Sequence, residues 1–107
     1  MKFRNPYWTD LQKIQMLQRW ILFHSYVYYE LNENYVEDSL YDKNAHMLAD
    51  LMGKYKDLVK SSRYHKVFKG YDGNSGYFLI QRLKQPEHKE LLEKIVFDVN
   101  IFRMAYK

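Results

Sequence analysis

The sequence predicts an all-α fold: a helical hairpin over about residues 9–31 and 37–59, a short helix over about 76–84 and a C-terminal helix over about 86–105. Three observations carry that prediction. Long segments repeat apolar residues at three- and four-residue spacing. Asn32-Glu33-Asn34 and Gln85-Pro86 interrupt the pattern where helices should stop. The hydrophobic fraction of 47% within 107 residues suits one domain with one modest core, covering residues 1–107, rather than a disordered chain.

The first helix starts at Thr9 or Asp10, either of which can cap, with Pro6 and Trp8 ahead of the cap as a staple. Ile14, Leu17, Ile21, His24, Tyr28 and Leu31 form its expected stripe, with Phe23, Tyr26 and Val27 outside it. From Trp20 to Tyr29 the helix is apolar nearly all round, which predicts a central helix packed on two sides. The second helix starts near Glu37 or Asp38, where an acid suits the positive end of the helix dipole. Its expected stripe is Leu40, Met47, Leu48, Leu51, Tyr55 and Leu58, with Asp38, Asp42 and Ala45 on the flank. Gly53 marks a place for a kink or an early end.

Residues 60–76, KSSRYHKVFKGYDGNSG, hold three of the four glycines and read as an irregular basic loop, with a short extended piece at His65–Phe68. A β-hairpin turning at Asp72–Ser75 is the alternative. The short helix that follows takes Asn74 or Ser75 as its cap and Leu79, Ile80 and Leu83 as its inner face. Pro86 opens the last helix. Leu91, Leu92, Ile95, Val99 and Phe102 make its buried stripe, and Phe97, Ile101 and Met104 a second apolar line. So much apolar surface predicts either deep burial or a homodimer contact.

Composition narrows the function classes. There is no cysteine, so disulfides and thiolate metal sites are excluded. No apolar run reaches membrane-spanning length and the first ten residues lack a signal-peptide core, so the expectation is a cytoplasmic protein without membrane contact. The net charge of +4 permits weak nucleic-acid contact. Lys54, Lys56, Lys60, Arg63, Lys66 and Lys69 form a basic run, with Tyr55, Tyr64 and Phe68 interleaved as candidate base-stacking rings. The four histidines are scattered, and no metal-ligand or Ser-His-Asp spacing stands out.

The stretch Ile21–Asp42 is richest in site chemistry. His24 and Tyr28 lie four apart on one helix; Asp38 and Asp42 lie four apart on the next, with Tyr41 beside them. A hairpin would bring the two sets together as a pocket with aromatic walls and acidic corners. In the bland reading the tyrosines are core, Asp38 is a cap, and His24 is a partly buried histidine bonded to a neighbour.

This stretch resembles the N-terminal helical domain, domain Ia, of bacterial NAD-dependent DNA ligases. Residues 21–58 align without a gap. The family's Asp-x-x-Tyr-Asp stands as Asp38-Ser39-Leu40-Tyr41-Asp42, and its Tyr-His pair as Tyr28-Tyr29, with tyrosine in the histidine position. The resemblance implies recognition of NAD through its nicotinamide mononucleotide half by Tyr28, Tyr29, Asp38, Tyr41 and Asp42, with His24 able to stand in for the missing imidazole. It does not imply a ligase. Lys69-Gly70-Tyr71-Asp72-Gly73 is one residue too long for the adenylation motif Lys-x-Asp-Gly, and the expectation is that no adenylation domain accompanies it. The expectation is a non-catalytic, stand-alone relative, similar to short ligase-related proteins carried by phages, with no required cofactor. The alternative is a phage-borne protein-interaction factor in the host cytoplasm, inhibiting a host enzyme or defence complex.

Overall fold

The computed structural model describes residues 8–74 and 76–105. Among them every regular element is helical: α1 (Asp10–Leu31), α2 (Asp38–Lys54), α3 (Lys56–Val59), α4 (Tyr77–Leu83), a 3-10 turn at Pro86–His88 and α5 (Lys89–Ala105). The expected all-α architecture is therefore present, and the β-hairpin alternative is not. No helix among the described residues is long and apolar enough to cross a membrane.

α1 starts with a capping box. The Thr9 hydroxyl accepts from the Gln12 N–H at 3.1 Å, and the Gln12 side chain accepts from the Thr9 N–H at 2.8 Å. The expected staple residue Pro6 lies outside the described residues. α1 ends at Asn32, whose φ of 53° places it in the left-handed region that asparagine tolerates. The helix is central, packing against α2, α3, α4 and α5. Ser25–Tyr41 and Gln18–Met52 contacts show α2 antiparallel to α1. Arg19–Asp98 and Phe23–Phe102 contacts advance by four residues on both helices, so α5 runs parallel to α1.

The inward faces differ from expectation in both helices of the hairpin. On α1, Ile14, Leu17, Gln18, Ile21, Leu22, Ser25 and Val27 are buried, while Tyr28 is 55% exposed. Two polar residues complete that stripe because each has a hydrogen-bond partner from another segment: buried Ser62 Oγ donates to Gln18 Oε1 at 2.5 Å, and Ser25 meets the hydroxyl of half-buried Tyr41 at 2.7 Å. On α2, Asn44, Ala45 and Leu48 are buried and Tyr41 packs against the core, whereas Leu40 faces solvent, as does Leu58 on α3. The second helix also stops short of Val59. Tyr55, with φ −116° and ψ 52°, divides it into α2 and α3.

The described residues of the 60–76 segment are irregular but form part of the core. Successive turns wind through them, and Tyr64, Val67, Phe68 and Tyr71 are buried. The extended piece expected at His65–Phe68 is instead a run of turns. Gln15 and Gln18 on α1 hold one end: Gln15 Oε1 accepts from the Arg63 N–H at 3.0 Å, beside the Gln18–Ser62 pair. Arg82 on α4 holds the other, stacking on Phe78 and donating to the carbonyls of Val67 and Lys69. α4 begins after Gly76 with no side-chain cap; the expected cap Asn74 instead donates to Asp72, and Ser75 lies outside the described residues.

The last helix is entered through the 3-10 turn at Pro86, with Gln85 extended as a residue before proline requires. Ile95 and Val99 are fully buried and Leu91, Leu92 and Phe102 partly so. Phe97, Ile101 and Met104 stay exposed, at 64, 50 and 73%, so deep burial of α5 is ruled out.

Candidate functional site

The C-terminal half of α1 and the N-terminal turn of α2 enclose a cleft of about 260 Å³. Helical geometry sets its walls. His24, Tyr28 and Tyr29 project from consecutive turns of α1, and Asp38, Tyr41 and Asp42 from the first turns of α2. The six residues expected from the sequence thus line one cavity. Asn34 and Val36, in the turn between the helices, close one end, where the Asn34 side chain accepts from the Val36 N–H at 3.3 Å.

The opposite wall comes from a distant part of the chain, Asn74 and Gly76. Two glycines allow this loop to approach. Gly73 has φ +87° and sits where a Cβ would press on the Ala45 carbonyl at 3.1 Å and Ala49 Cβ at 3.3 Å. A Cβ on Gly76 would overlap both Ser25 Oγ and the Tyr41 hydroxyl. The loop is braced internally by Asp72, which accepts from the backbone and side-chain N–H groups of Asn74. These bonds hold the Asp72 carboxyl below its ordinary range. Lys69, Asp72 and Gly73 therefore have local structural surroundings here, with Asp72 and Gly73 serving the turn.

The cleft floor is tight and neutral. Ser25 is buried, and the Tyr41 phenol is pushed above its usual pKa first by burial, so the hydroxyl pair stays protonated at neutral pH. His24 lies half-buried against Trp20, ring centroids 4.3 Å apart, and Phe23, 4.8 Å. Burial lowers it to about 4, so it lines the cleft as a neutral imidazole. Among the described residues no side-chain hydrogen bond ties it to a neighbour, whereas the bland reading expected one. Its Nδ1 is buried without a hydrogen-bond partner among the described residues.

The rim is aromatic and acidic. Tyr28 and Tyr29 meet edge to face at 4.9 Å, and Tyr29 meets Tyr77 of α4 in the same way at 5.4 Å. Tyr29, 41% exposed, stands on the rim and leaves the cavity open. Asp38 is not the cap of α2; that position belongs to Glu37, which makes no side-chain capping bond. Asp38 and Asp42 are exposed, and neither has a cation within ion-pair distance among the described residues. Tyrosine faces attract cationic rings, and ionised carboxylates accept from hydroxyls. The arrangement therefore suits a small cationic or hydroxyl-rich aromatic ligand.

The basic run does not form the expected surface. Its lysines and arginine are exposed, but Tyr64 and Phe68 are core residues and Tyr55 is half-buried, so the expected base-stacking rings are not displayed. Lys60, Arg63 and Lys66 line a separate groove, while Lys54 lies over the Tyr55 ring and Lys56 and Lys69 stand elsewhere. No cluster of three or more metal-ligating side chains occurs among the described residues.

The sequence reading identified the hairpin half of the cleft and missed Ser25, Asn34, Val36, Asn74 and Gly76. The spacing of Gly73 and Gly76 was a signal of close backbone approach, but nothing local to it points to Ser25 and Tyr41. No family model, curated protein or solved structure matches the chain.

Proposed function

We propose that the chain is a non-catalytic binding module whose cleft takes a nicotinamide-bearing mononucleotide, alone or as the end of NAD. The observation that carries the reading is the open cavity in which Tyr28 and Tyr29 face Asp38 and Asp42 over a neutral floor. A cationic ring finds tyrosine faces there, and ribose hydroxyls find carboxylate acceptors. Size sets the extent of contact. At about 260 Å³ the cleft lies just below the roughly 300–1,000 Å³ of drug-sized sites. It can enclose one ring and its sugar, leaving the remainder of a dinucleotide outside.

Calorimetry with nicotinamide mononucleotide and NAD on the wild type and Asp42→Asn tests this. Asp42 is exposed and off the core, so its loss should change stability by no more than about 0.5 kcal/mol. In a ligand site it removes a charged acceptor worth about 1.5–3 kcal/mol. No wild-type binding at millimolar ligand rejects the reading. Unchanged binding with a large fall in melting temperature makes Asp42 structural. Incubation with NAD or ATP should leave every lysine free of covalent AMP, as mass spectrometry can establish; an adduct refutes the non-catalytic reading.

A second reading, an interaction factor directed at a host protein or forming a homodimer, draws on the exposed Phe97, Ile101 and Met104 line of α5. Ile101→Glu should then abolish capture of that partner, or dimerisation seen by light scattering, and leave nucleotide binding intact.

A further inference from the structure

A second concavity, on another part of the molecule, has the opposite electrostatic character. The turns of residues 60–66 form one wall; the 3-10 turn and the start of α5 form the other. The groove measures about 920 Å³, more than three times the cleft described above. Lys60, Arg63 and Lys66 line the first wall, and Lys89 and Lys94 the second. Glu87 and Glu90 are the acids among its lining residues, so cations outnumber acids by five to two.

Local pairing leaves much of that charge uncompensated. Lys60 and Lys89 each meet an exposed acid at 3.9 Å, Asp57 and Glu93 respectively. Arg63, Lys66 and Lys94 have no carboxylate within 4 Å among the described residues. These three span both walls, so their positive potential adds across the groove rather than dispersing over a convex surface. His88 supports the second wall from within. It is buried, and its Nε2 lies 3.8 Å from Glu87.

We propose that this groove binds the phosphate backbone of a single-stranded nucleic acid. Facing rows of lysine and arginine match a chain of regularly spaced anions. The concave form suits one strand better than the broad cylinder of a duplex. No Tyr, Phe or Trp is among the lining residues: Tyr64 is buried in the core, the apolar lining residues are Pro86 and Leu91, and the aromatic rings in the lining are the imidazoles of half-buried His65 and buried His88, which offer little face for a base to stack on. Recognition is therefore by phosphate and independent of base identity. The site does not depend on the nucleotide reading of the cleft.

The test is fluorescence anisotropy with a labelled twelve-residue oligo-dT strand, its duplex with oligo-dA, and unlabelled tripolyphosphate as competitor. Contacts from the three unpaired cations predict a log–log salt slope of about −2.1 for a single strand, so affinity should fall about eighteen-fold between 50 and 200 mM salt. Arg63→Gln/Lys94→Gln should reduce the slope by about 1.4, whereas Lys54→Gln/Lys56→Gln, away from the groove, should leave it unchanged. An oligo-dA strand should bind as oligo-dT does. Absence of binding at 50 mM salt overturns the proposal, as does equal loss in both double variants. Tighter binding of the duplex than of the strand replaces it with a duplex surface. Competition by tripolyphosphate at the strand's own molar concentration replaces it with a small-anion site.

Discussion

Gly76→Ala tests how the floor of the cleft is built. Gly76 has φ −92° and ψ −5°, a conformation alanine adopts without strain. Through the unfolded state alone the substitution would stabilise the protein by about 0.4–1 kcal/mol. Sterics act against it. The new methyl would overlap Ser25 Oγ and the Tyr41 hydroxyl and stand 3.2 Å from Ser25 Cβ. Neither obstacle is a flexible chain end: Ser25 is 1% exposed, and the Tyr41 ring packs beside Trp20. Overpacking of this kind costs about 1–3 kcal/mol, and parting the two hydroxyls forfeits a hydrogen bond of about 1 kcal/mol. After the entropic gain the net loss is about 1–3 kcal/mol. For a domain near this size 1 kcal/mol moves the melting midpoint by roughly 4–8 °C, so a fall of at least about 4 °C is expected. Circular dichroism melts and urea titrations measure it. In a Ser25→Ala/Tyr41→Phe background the same substitution should cost at least about 1 kcal/mol less, because both clashing oxygens are gone. A Gly76→Ala protein as stable as the wild type, or more so, would refute the close approach of loop and hairpin.

Two further predictions concern stability. His24 has a folded pKa of about 4 against an ordinary value near 6.5. The unfolded chain therefore takes up the proton first: the His24 contribution is complete above pH 6.5 and is lost as pH falls from there to about 4. A fully sealed ring would contribute about 3 kcal/mol; solvent at its edge reduces this to about 1.5 kcal/mol. Comparing urea midpoints of the wild type and His24→Gln from pH 7 to pH 4 isolates it, and parallel curves would contradict the assignment. Ser62→Ala should cost about 1–3 kcal/mol in urea unfolding, since it leaves buried Gln18 Oε1 and the Tyr64 N–H without their bonds to Ser62 Oγ. A change below about 0.5 kcal/mol would show that this pair does not anchor the crossing segment.

The helices were legible because their apolar spacing is long and their breaks are chemically marked. Asn32 ends α1 with the left-handed conformation its residue type permits, and Gln85-Pro86 separates α4 from the last helical segment. The facing of the hairpin was less legible because its stripe contains polar residues. Gln18 and Ser25 point inward, each with a partner at least sixteen positions away, and hydropathy at single positions carries no trace of such a partner. Counting apolar residues alone therefore turned the second half of α1 toward Tyr28 and away from Val27. The break in the second helix came at Tyr55, not Gly53, where a Cβ would meet nothing within 4 Å and glycine answers no crowding. The hairpin half of the cleft follows from helical spacing. Its other wall depends on Asn74 and Gly76 returning to α1 and α2, a tertiary contact no local pattern encodes.

The parallel course of α1 and α5 has a consequence for the order of assembly during synthesis. A parallel neighbour cannot be reached by a tight hairpin, so the chain must travel back along the molecule before α5 can dock. The flank of α1 that carries Phe23, and the places filled by Ile95 and Val99, therefore wait for residues made after all the rest of the core. At about 5–20 residues per second the seventeen residues of α5 take on the order of 1–3 s to emerge. For that interval the nascent hairpin presents an apolar flank with no cover, the kind of surface that holdase chaperones bind.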